Sequence, residues 1–532
     1  MPDLLRHLLA ADRRRDRDYT PAVIGLLALA LGASAACVYC LRGLTLSHYD
    51  ARAHLVVARR ILDSMTPGWR QIGAVWLPLP HVLNMLPVQS DLMYRTGASA
   101  VMFSVLAFAC AAYGLARILL RATGSRVAAL MGTAAFAFNP NMVYLQSTPM
   151  EESLLLGLSV LGLAFLYDWT EDGRPSQAHA AAWLLAAASL TRFEAWPITG
   201  IALTAAAFAR WRRGDPFMAA VRRVVPIGLP TLGAIIGFCI LSRATVGQWL
   251  VTTGFFLPVN RAHGHILLAI REVAWGLGRL SGTAILVAGI IGGGILLIRG
   301  LSSRRRGNDF VLIALGACAL LPCYAFFVGH PFRIRYMVVL LAFEGLAAGI
   351  AVAAAGRWRL VAAAVLGVFI AIELQPFNTR APMVLEAEWD RPNFAPRHQV
   401  TDCLLQRYDH QKILISMGGL AHYMQDMSRS GFDLRDFIHE GNGDIWDAAF
   451  DHPRPFVGWI IMETKAQGGD ILARRARKDP AFLDGFTRVC SGAGVVLYEK
   501  QKAPGARREA RHDQSLEPSA CKNQNLTCTV AR

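Results

Sequence analysis

From Pro21 to Pro376 the chain is a succession of apolar runs separated by short clusters of arginine. A helix crosses a bilayer in about 20 apolar residues, and a backbone in hydrocarbon has to satisfy its own N–H and C=O groups. The runs near 21–43, 96–117, 127–145, 153–169, 179–192, 197–210, 224–242, 274–299, 310–328, 337–355 and 359–376 therefore predict about eleven transmembrane helices. With 54% hydrophobic and 17% charged residues and a mean hydropathy of +0.35, a 532-residue chain is too apolar for a soluble protein of its size.

The arginines set the direction of the spans. Arg13, Arg14, Arg15 and Arg17 precede the first one, so the positive-inside rule puts the N-terminus in the cytoplasm. An odd number of crossings then gathers Arg121 with Arg126, Arg210 to Arg213 with Arg222 and Arg223, Arg299 with Arg304 to Arg306, and Arg357 with Arg359 on the inside. Only the loop holding Arg174, beside Glu171 and Asp172, departs from the pattern. The net charge of +16 is thus distributed as membrane topology requires and not gathered into a patch, which excludes nucleic acid as a partner. The same parity places outside the first loop, 44–95, the segments 146–152, 192–196, 242–272 and 329–336, and everything after Pro376.

Residues 377–503 are of a different composition, with lysine, many charges and strand-like runs at Lys412 to Ile415, Val457 to Met462 and Gly494 to Tyr498 around a helical pattern at 469–478. Strands alternating with helices predict a small extracytoplasmic α/β domain. Residues 1–20 form a short cytoplasmic segment, 21–376 the membrane domain, and 504–532, polar and charged, a disordered tail. In an oxidising compartment Cys403 can pair with Cys490 and Cys521 with Cys528, although four cysteines permit three pairings.

The first outer loop is unusually polar. His48, Asp50 and His54 fall along one helical face while Ala53, Val56, Val57 and Ile61 form an apolar stripe, so a helix lying on the membrane surface is expected. Trp69, Trp76 and the prolines of Trp76 to His81 suit an interfacial turn after it. Few acids face outward in the membrane part: Asp50, Asp63, Asp91, Glu151, Glu152, Glu194 and Glu272. Glu152 beside Ser153 also fits a helix N-terminus, where a carboxylate contributes about 0.3–1 kcal/mol. Arg333 and Arg335 stand on the outer side against the charge bias. Their guanidinium forks fit a phosphate bidentately, and snorkelling toward headgroups is the alternative. Arg192 is either a third phosphate ligand or a partner of Glu194 or Glu151.

An acid in a helical first outer loop, Tyr49-Asp50, acids in the second, Pro149-Met150-Glu151-Glu152, a late Arg335-Tyr336 before a span, and an exterior α/β domain together resemble the GT-C superfamily of polyprenyl-phosphate-dependent glycosyltransferases. The pattern is similar in particular to bacterial protein-mannosyltransferase and aminoarabinose-transferase types. The resemblance implies a GT-C-like membrane domain in the inner membrane. It also implies transfer of a hexosyl or pentosyl group from a polyprenyl phosphate to a glycan, lipid or protein acceptor on the outer face. An ionised phosphate leaves without a general acid, so the reaction needs one base and fixed positive charge, and direct displacement inverts the anomeric centre. On this resemblance Asp50 and Glu151 are the catalytic candidates and Arg335, Arg333 and Arg192 the donor-phosphate candidates. His48, Tyr49, His54, Glu152, Glu194, His330 and Tyr336 surround them. A divalent metal, Mg, Mn or Zn, would take Asp50, Glu151 and His54. This chain departs from many relatives in having Ala51-Arg52 where they carry a second acid.

A transporter or lipid flippase is the alternative, and it would concentrate polarity near the midplane. These spans carry almost none besides Glu344. A non-catalytic scaffold is the third reading, and it would tolerate Asp50→Asn.

Overall fold

A computed structural model describes residues 18–251, 258–304 and 307–501. The N-terminal arginine cluster, the whole of the expected tail and the Cys521–Cys528 pair lie outside the described residues.

Helices follow the apolar runs: α1 (Thr20–Leu41), α2 (Tyr49–Arg60) in the first loop, then α3 (Ala98–Thr123), α4 (Arg126–Ala137), α5 (Glu152–Asp172), α6 (Pro175–Ser189), α7 (Ala195–Arg212) and α8 (Phe217–Val246). α9 (Ile266–Ser281), α10 (Thr283–Ser302), α11 (Asp309–Phe327), α12 (Leu340–Ala354) and α13 (Arg359–Phe369) complete the bundle. Seven helical stretches among the described residues are long and apolar enough to cross a membrane. This is a multi-pass helical membrane protein. Two expected spans are broken. The run 127–145 stops where Asn139 caps a new turn at Pro140, and 274–299 divides at Gly282, whose φ of +84° ends α9 and starts α10.

Small residues set the closest approaches. A Cβ on Gly345 of α12 would lie 2.7 Å from the Gly132 carbonyl of α4, and one on Gly292 of α10 would overlap the Ala347 carbonyl. Without a hydrophobic force between helices in lipid, such backbone contact is what holds them together.

The C-terminal domain is a five-stranded sheet: β1 (Ile413–Ile415), β2 (Phe437–Ile438), β3 (Trp459–Glu463), β4 (Phe486–Gly492) and β5 (Val495–Lys500), ordered β2-β1-β3-β5-β4. β1 runs parallel to β2 and β3, whereas β5 is antiparallel to β3 and β4. Before the sheet come α14 (Pro382–Glu388) and α15 (Phe394–Leu405), and α16 (Met417–Met427) follows β1. The expected Cys403–Cys490 bond ties α15 to β4.

The first-loop helix differs from expectation. Every residue from Ala51 to Ile61 is buried, and Leu55, Val56 and Ala58 share one core with Tyr94, Val400, Leu420, Tyr423 and Met424. α2 therefore lies beneath the C-terminal domain and not on a lipid surface, because its apolar stripe finds α16 to pack against. Ion pairs fasten the seam: Arg52 binds Asp426 and Asp390, Arg59 reaches Asp433, and Arg435 reaches Asp63.

Candidate active site

The loop ends at the top of α2, α5, α6 and α12 meet in one cluster of charge. His48 caps α2, its Nδ1 accepting the Asp50 N–H at 3.1 Å, and so fixes Asp50 in the first turn. Arg335 sits in the tight turn Ile334–Met337 that leads into α12, and its NH1 donates to Asp50 Oδ2 at 2.6 Å. Its Nε lies 3.5 Å from Glu152 Oε1 at the start of α5. Burial works against ionisation of Asp50, but the Arg335 guanidinium outweighs it and holds the carboxyl below its usual range.

Arg192 turns inward to three carboxylates: Glu194 at 2.7 Å, Glu152 at 3.1 Å and Glu151 at 3.4 Å. Both of its terminal nitrogens are committed, so of its two sequence roles the geometry favours the structural one. Arg333 is different. It is half-buried, its guanidinium stands 6.0 Å above the Trp389 ring, and no carboxylate of the described residues lies within 4.0 Å of it. It is still near enough to Asp50 and Glu386 to help hold both carboxyls down. His330 and Tyr336 bond to one another, Tyr336 Oη and His330 Nε2 being 3.2 Å apart. Tyr49 stacks on His48, with ring centroids 4.7 Å apart.

The expected metal set is regrouped. Asp50 is taken by Arg335, while His54 Nδ1 faces Glu151 Oε1 at 3.5 Å and His81 Nε2 at 3.1 Å. Donor atoms of His54, His81 and Glu151 all lie within 4.8 Å of one another. Two ligands about 2.0–2.1 Å from a tetrahedral ion are about 3.3 Å apart, so two of these separations suit one ion. His81 Nδ1 is 3.1 Å from the Leu77 carbonyl and donates to it in the tautomer that leaves Nε2 free as a ligand. Burial, and then Arg60, pushes His81 down to about 3, which keeps it neutral. Burial raises Glu151 to about 8. Around this point the carboxyl groups of Asp50, Glu151, Glu152 and Glu194 share the guanidiniums of Arg192 and Arg335, and a divalent cation would favour the ionised form of Glu151 that burial opposes.

Sequence reasoning missed two participants. His81 lies between prolines in a stretch that reads as an interfacial turn, yet Pro80 falls in the first turn of a short helix, Leu79–Asn84, that presents it. Glu386 follows the last expected span, and its Oε1 approaches His48 Nε2 at 3.7 Å. No spacing rule links either to Asp50.

No family model matches this chain, and no curated protein does. Solved structures do. ArnT from Cupriavidus metallidurans bound to undecaprenyl phosphate superposes with a TM-score of 0.55 at 12% identity over 88% of this chain and 97% of that one. The same protein in the apo state gives 0.57 at 13% identity, covering 90% and 98%. The chain therefore has the ArnT fold along nearly its whole length, which is the architecture that the sequence resemblance implied.

Proposed function

We propose that this protein is a membrane glycosyltransferase that takes a sugar from a polyprenyl phosphate at the inner membrane and passes it to an acceptor on the outer face. The observation that carries the reading is the Asp50–Arg335 pair with the uncommitted Arg333 beside it. A depressed carboxyl is ionised at neutral pH and can accept a hydroxyl proton. The two arginines can receive the negative charge that grows on a departing phosphate. The ArnT structure with undecaprenyl phosphate supports a lipid phosphate as the donor carrier.

In this mechanism the donor phosphate enters between Arg333 and Arg335 and draws Arg335 from Asp50. Asp50 then takes the proton of the acceptor hydroxyl as its oxygen attacks the anomeric carbon. The bond to phosphate oxygen breaks without protonation, and the configuration inverts. Arg192 keeps Glu151, Glu152 and Glu194 in place. His54, His81 and Glu151 would hold a divalent ion, and two imidazoles with a carboxylate suit zinc. Bound there, the ion would supply fixed positive charge against the surrounding carboxylates. Elemental analysis of purified protein should give one zinc per chain, lost in His81→Ala.

The test of the activity is mass spectrometry of lipid, glycan and protein fractions from cells with and without the gene. The expected result is one saccharide missing from one fraction, which names donor and acceptor together. An unchanged saccharide profile with a lipid redistributed between leaflets would establish the flippase instead.

A further inference from the structure

At the end of the bundle opposite the carboxylate cluster, α5, α6, α7 and α8 enclose a cavity of about 500 Å³. Trp169, Pro226 and Ile227 give it an apolar lining, and His179, Arg210 and Arg223 a basic one. Arg210 lies over the Trp169 ring at 5.3 Å. A single oxygen, Asp215 Oδ2, accepts from both Arg210 Nε at 2.8 Å and Arg223 NH1 at 2.9 Å.

One carboxylate thus serves two guanidiniums. A full positive charge is left over, and the outer N–H groups of Arg210 have no acceptor among the described residues. The other acids nearby are already engaged, Glu171 and Asp172 by Arg121. A zwitterionic headgroup would find no free carboxylate here for its ammonium, whereas an anionic one meets unspent donors. Trp211 and Phe217 are exposed around the same end, 47% and 59% respectively, which suits side chains at the headgroup level. A basic pocket between membrane helices beside such a belt matches an anionic lipid in charge and in depth.

We propose that this cavity binds the phosphate headgroup of an anionic phospholipid from the leaflet at that end, with Arg210 and Arg223 on the phosphate and Trp169, Pro226 and Ile227 against the glycerol and first acyl carbons. The site is independent of sugar transfer, so its test stands whether or not the proposed activity does.

The test is native mass spectrometry of the full-length protein titrated with phosphatidylglycerol, phosphatidylcholine or undecaprenyl phosphate. Phosphatidylglycerol should be retained about tenfold more tightly than phosphatidylcholine, the worth of one charge-assisted contact. Arg223→Gln, at a half-exposed position, should erase most of that preference. Arg243→Gln, at the far end of the same helix, should leave it intact. An unchanged elution volume for Arg223→Gln shows that the variant is folded. Equal retention of the two phospholipids overturns the proposal, as does full preference in Arg223→Gln. Retention of undecaprenyl phosphate stronger than that of phosphatidylglycerol and lost in Arg223→Gln also overturns it, and makes the cavity a second polyprenyl-phosphate site.

Discussion

Asp50→Asn separates the two roles that the Asp50–Arg335 bond joins. In the ligand-free protein Arg335 spends its best hydrogen bond, at 2.6 Å, on the carboxylate that has to act as base. A donor phosphate has to compete for that guanidinium. A hydrogen bond to a charged partner contributes about 1.5–3 kcal/mol, and the neutral amide of asparagine keeps about 0.5–1.5 kcal/mol of it. The variant therefore holds Arg335 less firmly by about 1–2 kcal/mol, and its affinity for polyprenyl phosphate should rise about fivefold to thirtyfold. Turnover should move the other way and fall by about 10²–10⁴, the usual loss of a general base. Both quantities can be read on one preparation in lipid vesicles, affinity by equilibrium binding of polyprenyl phosphate and rate by single turnover. If affinity and rate fall together, Asp50 is a strut for Arg335 and not a base. Near-normal turnover would remove Asp50 from the chemistry altogether.

Arg335→Lys should lower turnover more than tenfold, because an ammonium cannot span Asp50, Glu152 and a phosphate as a fork does, and equal activity of the Arg335→Lys and Arg333→Lys variants with wild type would exclude a bidentate clamp. Gly292→Ala should cost about 1–3 kcal/mol, read as a lower melting temperature, since its Cβ has to displace the Ala347 carbonyl of α12; an unchanged melting temperature would mean that α10 is not packed there. Stability should fall on acidification. Burial, then neighbouring positive charge, holds His422 and His439 well below the ordinary imidazole range, so their contribution is complete above about pH 6.5, the unfolded value, and is lost as pH falls below it. A melting temperature constant from about pH 7 to 4.5 would contradict the buried neutral histidines.

The helical membrane domain was legible because a long apolar run in hydrocarbon has to satisfy its own backbone, although seven helical stretches of the described residues, and not eleven, are long and apolar enough to span. The candidate acids were legible because so few face outward. Their pairing was not. Asp50 and Arg335 are 285 residues apart, and nothing local to either records the other. The sequence also left Arg192 undecided, since a fork that fits phosphate fits carboxylates equally well, and only the convergence of Glu151, Glu152 and Glu194 around it decides. The first-loop helix was placed on lipid because an apolar stripe at helical spacing looks the same against a membrane and against another domain. β2 and β4 escaped notice for related reasons. β2 is two residues long, and β4 alternates too weakly to announce itself.

What the packing of α2 adds is the reason the exterior domain belongs to the site. α2 carries Asp50 at its start and His54 one turn later, and both positions depend on where the helix axis lies. That axis is gripped from the far side by α16, with Arg52 reaching Asp426 on α16 and Asp390 after α14. Glu386 of α14 touches His48, the cap that sets Asp50. Removing the domain would leave Arg52 without partners and expose Leu55 and Val56, and a short helix stripped of its apolar contacts does not hold its place. An appended binding module would leave the membrane half of the site intact when detached. Here the geometry of Asp50 is assembled from both halves, so the domain positions the proposed base, and a scaffold with a detachable partner-binding head does not account for that shared construction.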